Sequence, residues 1–295
     1  MRIEDLLPII GPLPARVAPV PRELDRTDAG PYIRHRLSYR VEKDDDGIAY
    51  LLVPKQTSFP ASAVVCHHQH TGQRIGKAEP VGLEGDPDLA HAHELALRGF
   101  VTFAPDAPTF GERRNEADPV GAAYWELATR LVSGRTLLAK ALHDLFVGID
   151  VLAARPEVDP GRIGFIGHSY GGRMALWAAA CDSRIAATVS HCGCNPYSGM
   201  VARDAGVQME FVVPGILGKL DHHDLAAAIA PRALFISGTS DDKWSRGLVE
   251  LADAVRHHFS ETAFLERVYP GGHRHTQPMR EEAYAFLDSH LRSGR

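Results

Sequence analysis

The chain has 295 residues, of which 44% are hydrophobic and 23% are charged, an ordinary globular composition with enough length for a large core. A formal charge of −5 gives no support to a nucleic-acid-binding or anionic-membrane-binding protein. No apolar stretch is long enough to cross a bilayer, and no signal peptide is evident, so we expect a cytoplasmic protein. Four cysteines in a chain of this length do not indicate a disulfide scaffold.

The first half of the chain predicts an arm, a hairpin and then alternating strands and helices. Residues 1–30 are rich in proline and lack periodicity, which predicts an irregular arm. The elements expected after it are hairpin strands at 32–41 and 48–54 with a turn at 44–47, a buried strand at 63–66, a helix at 89–98, a strand at 100–104 and a long helix at 130–155.

The second half continues this alternation. Strands are predicted at 163–166, 185–190, 233–237 and 263–268, with helices at 245–258 and 278–291. Such a succession is typical of an α/β fold in which a mostly parallel sheet is covered by helices on both faces. We therefore expect one domain over residues 31–295, with an antiparallel hairpin at its start. Residues 191–220 interrupt the alternation and could form a small cap.

The segment Gly167-His168-Ser169-Tyr170-Gly171 lies between a predicted strand and a predicted helix. A G-x-S-x-G sequence in that context is typical of a nucleophile elbow, a turn too tight for side chains at its two flanks. The glycines allow the strand and the helix to approach each other, and the serine hydroxyl is exposed at the end of the strand. Ser169 is therefore the candidate nucleophile.

A serine hydroxyl needs a base, and the base needs a group that orients it. Asp241 follows the strand predicted at 233–237, and His273 follows the strand at 263–268 after a Gly-Gly pair. Both positions are at the carboxyl ends of strands, where ligands bind in open α/β sheets. We assign the acid to Asp241 and the base to His273. Asp242 and His275 remain the competing residues.

The reaction also needs two donors for the developing oxyanion. The backbone N–H of Tyr170, directly after the nucleophile, is one candidate because it begins a helix. The second donor should come from the loop after the strand at 63–66, and we favour the amide of His70 with Gln69 as the alternative.

Two further residues are candidates for substrate binding. Arg113 could bind a substrate carboxylate, although a solvated surface arginine is the simpler interpretation. Trp125 could line an acyl or alcohol pocket, as could Tyr124, Phe211 and Met209, or these side chains could belong to the core.

The sixteen histidines raise the question of a metal. They cluster at 67–70, 91–93, 222–223 and 257–258, but the clusters lack acidic residues at a recognised ligand spacing. We therefore expect neither a metal nor another cofactor.

These motifs resemble the α/β-hydrolase superfamily, specifically its dienelactone hydrolase-like and acetyl-xylan-esterase-like branches. The resemblance spans about residues 60–290 and includes the elbow, Gly238-x-x-Asp241 and Gly272-His273. It implies an α/β-hydrolase fold, carboxyl-ester hydrolysis and no cofactor. The chain departs from the namesake enzymes in carrying Ser169 where they have cysteine, and in carrying His68-Gln69 where His-Gly is common.

The sequence thus predicts a serine hydrolase that cleaves carboxylic esters or lactones of small molecules through an acyl-enzyme. An acyltransferase or a peptidase could use the same three residues, since only the acceptor or the leaving group differs. A non-catalytic binding protein with the same fold is the remaining alternative. The sequence does not indicate an oligomeric state.

Overall fold

The structure, a computed structural model, describes residues 2–202 and 206–292. Within them, nine strands form one sheet in the order β1-β2-β3-β5-β4-β6-β7-β8-β9. The strands are β1 Arg22–Asp28, β2 Tyr32–Glu42, β3 Asp45–Pro54, β4 Ala61–His67, β5 Val101–Pro105, β6 Val158–His168, β7 Ile185–His191, β8 Ala233–Thr239 and β9 Phe264–Tyr269. β1, β2, β3 and β5 pair in antiparallel fashion along the sheet, and all other neighbours are parallel.

Helices cover both faces of this sheet. They are α1 Ile3–Ile10, α2 His91–Leu97, α3 Pro119–Val132, α4 Leu137–Ala153, α5 Tyr170–Cys181, α6 Tyr197–Ala202, α7 His222–Ile229, α8 Leu248–Val255 and α9 Gln277–Arg292. The predicted fold class, an α/β-hydrolase fold with a mostly parallel sheet and a leading hairpin, is confirmed.

Strand β4 shows why the central strands read as continuous apolar runs. Successive side chains of a strand point to opposite faces, and both faces of β4 are covered by helices. Val65 belongs to the core cluster on the face of α4 and α5, whereas Val64 and Cys66 belong to the cluster on the face of α2 and α9. The sheet is thus held between two cores, and its carboxyl edge is left for the site.

Two elements differ from the sequence-based expectation. Residues 1–30 are not wholly irregular, since α1 buries Leu6 and Ile10 in the core and β1 extends the sheet at its antiparallel edge. The helix predicted at 130–155 is divided at Gly134, whose φ of +68° ends α3. Thr136 then caps α4 by accepting a hydrogen bond from the amide of Ala139.

The hairpin turn is also tighter than expected. Glu42 pairs with Asp45, so the turn consists of Lys43 and Asp44 and not of residues 44–47. The strand predicted at 48–54 thereby gains three residues, and Asp45 becomes available for an ion pair described below.

The segment predicted as a cap, 191–220, lies partly outside the described residues. Its described part contains α6 and a short 3₁₀ turn, Met209–Phe211, and it packs on the start of α5. Phe211 contacts the ring of Tyr170 edge-on at 5.4 Å, and Glu210 Oε1 lies 2.6 Å from Arg74 Nη2. Both members of this ion pair are 1% exposed, so the segment is tied to the body by a buried charge pair.

None of the helices formed by residues 2–202 and 206–292 has the combination of length and apolar character needed to span a bilayer.

Candidate active site

Ser169 occupies a strained turn between β6 and α5. Its φ of 57° and ψ of −113° are unusual for a residue with a side chain, a strain that typically costs about 1–3 kcal/mol. A Cβ at Gly167 would collide with the backbone of Gly171, and one at Gly171 would collide with the carbonyl of His67. Both glycines are therefore required for the close approach of β6, α5 and β4.

The hydroxyl of Ser169 is not used to cap the helix that it precedes. Ser169 is the N-cap residue of α5, but its side chain makes no capping hydrogen bond. The next N–H, that of Tyr170, is at the first helical position and has no partner within the helix. The nucleophile candidate and one oxyanion-donor candidate thus lie side by side at the positive end of a helix.

The carboxylate that contacts His273 belongs to Asp242. Its Oδ2 lies 3.0 Å from His273 Nδ1 and accepts a hydrogen bond from Ser245 Oγ at 2.7 Å. Its Oδ1 accepts the N–H of Trp244 at 3.0 Å. The Nδ1–H of His273 is not well aligned on Asp242, which is common in unliganded sites, but the 3.0 Å separation brings the two groups together.

Electrostatics agree with this pairing. Burial raises the pKa of Asp242, but the opposing contacts of His273, Ser245 and the Trp244 amide outweigh burial and hold that pKa below its ordinary value. Asp242 is therefore an ionised, buried acceptor that can orient an imidazole and stabilise its cation.

Asp241, the acid favoured by the sequence, is not the partner of His273. It is exposed, and its Oδ1 accepts a hydrogen bond from its neighbour Ser240 at 3.2 Å. Its backbone N–H donates to the carbonyl of Gly271 at 2.9 Å, which turns the Asp241 side chain to solvent and leaves the next residue, Asp242, inside. The structure therefore favours Asp242 over Asp241 as the candidate acid.

Four hydrogen bonds join the acid loop to the histidine loop, one of them from the amide of Gly271 to the hydroxyl of Ser240 at 3.3 Å. Besides the bond from Asp241, the amide of Ser240 donates to the carbonyl of Tyr269 at 2.9 Å. The hydroxyl of Thr239 donates to the carbonyl of Gly272, also at 2.9 Å. The two loops therefore act as one unit, which sets the relative position of Asp242 and His273.

His275, the competing base, lies in a different environment. It is 2% exposed, neither of its ring nitrogens has a hydrogen-bond partner, and its ring stacks on His191 at 4.7 Å. Burial holds the pKa of His275 well below its ordinary value, so this imidazole is neutral and internal. His273, whose side chain is 29% exposed, is the histidine that faces both a carboxylate and solvent.

His191 contacts the histidine loop through its side chain. Its Nε2 lies 2.9 Å from the carbonyl of Arg274, to which it can only donate, so Nδ1 accepts the hydroxyl proton of Ser237 at 2.6 Å. The Ser169 amide also donates to the His191 carbonyl at 2.8 Å. His191 thereby connects the elbow to the residue next to His273. The sequence analysis missed it, although its position at the end of a predicted strand was a signal.

The loop after β4 lies against the elbow, as expected for an oxyanion loop. His68 fixes it, because its Nδ1 donates to the carbonyl of Gln69 at 2.9 Å and its Nε2 accepts the amide of Ala107 at 3.2 Å. The side chain of His70 lies near Arg74, with Nε2 3.4 Å from Nη1. The backbone amides of Gln69 and His70 both remain candidates for the second donor.

Arg113 is neither a substrate ligand nor a solvated surface residue. Its side chain is 8% exposed, and its Nη2 lies 2.7 Å from Asp45 and 2.8 Å from Asp144. Lys140 shares both carboxylates. The guanidinium is thus paired with two carboxylates inside the protein. The sequence could not reveal this pairing, because the partners are distant in the chain.

Replacing Arg113 with alanine should therefore destabilise the protein without altering substrate binding. We expect a loss of about 3 kcal/mol in the free energy of unfolding, since two carboxylates keep only Lys140 as a nearby cation. Urea unfolding measures the loss, and KM for neutral and acidic esters should stay unchanged. A raised KM for acidic esters alone would restore the substrate-binding role.

Trp125 is also placed differently from the expectation of a pocket residue. It is 73% exposed on α3, and its neighbour Tyr124 is 63% exposed. Of the four pocket candidates, Phe211 is fully buried and touches the ring of the elbow residue Tyr170. Met209 lies close to Arg74, with its sulfur 4.0 Å from Nη1.

None of the four histidine clusters of the sequence forms a group of three ligand atoms. Among the residues that the structure describes, such a group is formed by His168, Cys192 and His273, which come from separate stretches of the chain. Their proximity follows from the ends of β6, β7 and β9 meeting at one edge of the sheet.

Comparisons with known proteins agree with this architecture. This chain is 29% identical over 256 residues to the "Putative hydrolase YtaP" of Bacillus subtilis (strain 168). The match covers 82% of this chain and 83% of that protein. A "putative acetyl xylan esterase" from Bacteroides fragilis superposes with a TM-score of 0.75 at 18% identity, covering 90% of this chain and 73% of that one.

A glucuronoyl esterase from Solibacter usitatus superposes with a TM-score of 0.66 at 15% identity, covering 96% and 88% of the two chains. The profile of the dienelactone hydrolase family matches residues 48–242, which is more than half of the chain. The chain therefore belongs to the dienelactone hydrolase family.

Proposed function

We propose that this protein hydrolyses carboxylic esters through an acyl-enzyme formed on Ser169, with His273 as the base and Asp242 as the acid. The observation that carries the proposal is the contact between Asp242 and His273, on loops joined by four hydrogen bonds at the same sheet edge as the strained elbow. The chain is a carboxylic ester hydrolase, and a serine takes the place of the cysteine of its namesake relatives.

Each residue has a defined step in this mechanism. Ser169 Oγ attacks the ester carbonyl while His273 accepts its proton, and His273 then returns that proton to the leaving alcohol. Water, deprotonated by His273, releases the acid from Ser169 in the second half of the cycle. Asp242 stays ionised throughout and stabilises the imidazolium, in keeping with its lowered pKa.

The oxyanion of each tetrahedral intermediate would be bound by the N–H of Tyr170 and by an amide of the loop after β4, that of His70 or Gln69. A donor of this kind typically contributes about 3 kcal/mol to transition-state stabilisation. The backbone conformation of Ser169 supports this role, because Ser169 is the N-cap residue and the amide of Tyr170 therefore lies at the first position of α5.

The expected substrate is an ester with a polar alcohol part. A cleft of about 550 Å³ has Gln69, from the loop after β4, among its lining residues, together with Gln73, Glu79, Glu84, Asp86 and Arg114 and the less polar Thr71, Ile75 and Gly85. Hydroxyl groups can both donate to carboxylates and accept from an arginine, so a sugar or another polyol suits this lining. The name of one structural relative, a putative acetyl xylan esterase, supports the same class, because acetyl xylan carries its sugar in the alcohol part of the ester.

Activity-based labelling tests the nucleophile directly. A fluorophosphonate should label the native protein once, and Ser169→Ala should abolish labelling and lower kcat by about six orders of magnitude, as in another serine hydrolase. Ser133→Ala, at an exposed helix end, is the matched control and should label like the native protein. If the native protein is folded but is not labelled by the fluorophosphonate, this result would argue against the mechanism.

An ester panel tests the substrate class. Acetyl esters of sugars should be cleaved with a higher kcat/KM than acetyl esters of alkyl alcohols of similar size. Adding a competing alcohol tests the transferase alternative, since a hydrolase gives mainly free acid whereas a transferase gives mainly the new ester.

A further inference from the structure

Three side chains that could hold a metal ion come together at the elbow, one of them from the elbow itself. His168, Cys192 and His273 each offer one ligand atom, and these atoms lie within 4.8 Å of one another. Zinc binds nitrogen and sulfur at about 2.0–2.3 Å, so side-chain movements on the order of 1 Å would bring the three atoms onto one ion. Two imidazoles and a thiolate favour a zinc-like ion over magnesium or calcium, which prefer oxygen.

His168 provides an independent indication that this group has a ligand. Its side chain is 2% exposed, and neither of its ring nitrogens has a hydrogen-bond partner. A buried polar atom without a partner is unfavourable, and a metal ion bound to one ring nitrogen of His168 would provide that partner. Burial also holds the pKa of His168 well below its ordinary value, which keeps the lone pair of the neutral ring available.

Cys192 is held in place by an unusual backbone. Its φ is +51°, in the left-handed region that residues with side chains rarely adopt, and its amide donates to the carbonyl of Ser237 at 2.8 Å. The thiol is fully buried, and burial raises its pKa, so the free protein carries it protonated. Metal binding would therefore release one thiol proton to solvent, with no change in oxidation state.

His273 gives an ion access to the group, because its side chain is 29% exposed. The carboxylate of Asp242, 3.0 Å from His273 Nδ1, adds negative charge beside the ion. We propose that His168, Cys192 and His273 bind a thiophilic divalent cation, with Zn²⁺ or Cd²⁺ as examples, and that this ion inhibits the enzyme by occupying its base. The inhibition, but not the binding, rests on the proposed function.

Direct binding is tested with Co²⁺ on the chelator-treated full-length protein. One ion per chain should produce a thiolate-to-cobalt charge-transfer absorption and release one proton. Cys192→Ser should lose that absorption, and Cys181→Ser, a second free cysteine, should retain it. Absorption that survives in Cys192→Ser, or that is missing in the native protein, would overturn the proposal. His168→Asn should weaken Co²⁺ binding and provides a second test if Cys192→Ser does not fold.

Inhibition is tested separately, with each variant normalised to its own metal-free rate. Zn²⁺ should inhibit the native protein reversibly, with activity restored by chelator, and Cys192→Ser should need at least about tenfold more Zn²⁺. Equal sensitivity of Cys192→Ser and the native protein would contradict the proposal. If no ester is hydrolysed at all, the proposed function fails while the Co²⁺ spectrum still decides the metal site.

Discussion

Replacing Asp242 with asparagine is expected to lower kcat about 10⁴-fold, the size of the effect seen for the corresponding change in another serine hydrolase. The amide keeps the shape of the carboxylate but can donate to His273 Nδ1, which would favour the wrong tautomer and would not stabilise the imidazolium. KM for a short ester should change much less than kcat. Steady-state kinetics on a p-nitrophenyl ester measures both constants.

The same change at Asp241 is the matched control. Asp241 has the same side chain, is the adjacent residue and is exposed, so Asp241→Asn should leave kcat nearly unchanged. Circular dichroism and urea unfolding establish that both variants are folded. The reverse result, with Asp241→Asn inactive and Asp242→Asn active, would return the acid to the residue that the sequence favoured.

The protein is also expected to lose stability steeply as the pH falls below about 6.5. Burial lowers the pKa of seven described histidines well below the ordinary value, among them His67 and His191 at about 4 and His91 and His222 at about 3. In the unfolded chain these rings become protonated near pH 6.5, whereas the folded protein keeps them neutral until much lower pH. The unfolded state therefore binds more protons in this window, and acid favours it.

The size of the effect follows from linkage. Each such histidine removes about 1.4 kcal/mol of stability per pH unit once the unfolded ring is protonated, so the four with the values given above remove about 5.6 kcal/mol per unit. Since domains are typically stable by about 5–15 kcal/mol, we expect acid unfolding between roughly pH 4 and 5.5. Asp106 and Glu79 oppose the trend at lower pH, because burial raises the pKa of each carboxyl.

Replacing one buried histidine, His91, tests whether buried histidines cause the loss of stability in acid. His91 is 1% exposed and neither ring nitrogen has a partner, so His91→Leu removes a titrating group at little cost in hydrogen bonds. Urea unfolding at several pH values should show a slope smaller by about 1.4 kcal/mol per pH unit than that of the native protein. Native stability that is flat between pH 7 and 5 would refute the prediction.

Local patterns were sufficient to predict strands β2 to β9 of the sheet. A strand buried on both faces produces an apolar run, as at 63–66, and the Gly-x-Ser-x-Gly elbow requires its glycines because backbones meet there. These signals depend on residues that are neighbours in the chain, so they can be recognised in the sequence. The N-terminal elements escaped prediction because α1 and β1 are stabilised by packing on distant residues and not by a strong local period.

The sequence by itself determined the fold class, the nucleophile candidate and the two loops that bring an acid and a base to it. The tertiary structure alone placed Asp242, and not Asp241, against His273, buried His275, gave Arg113 a structural partner, and brought His168 of the elbow close to Cys192. The physical reason is direction: neighbouring residues on a loop point to different sides, and only hydrogen bonds to distant backbone, here those of Gly271 and Gly272, determine which side is the interior.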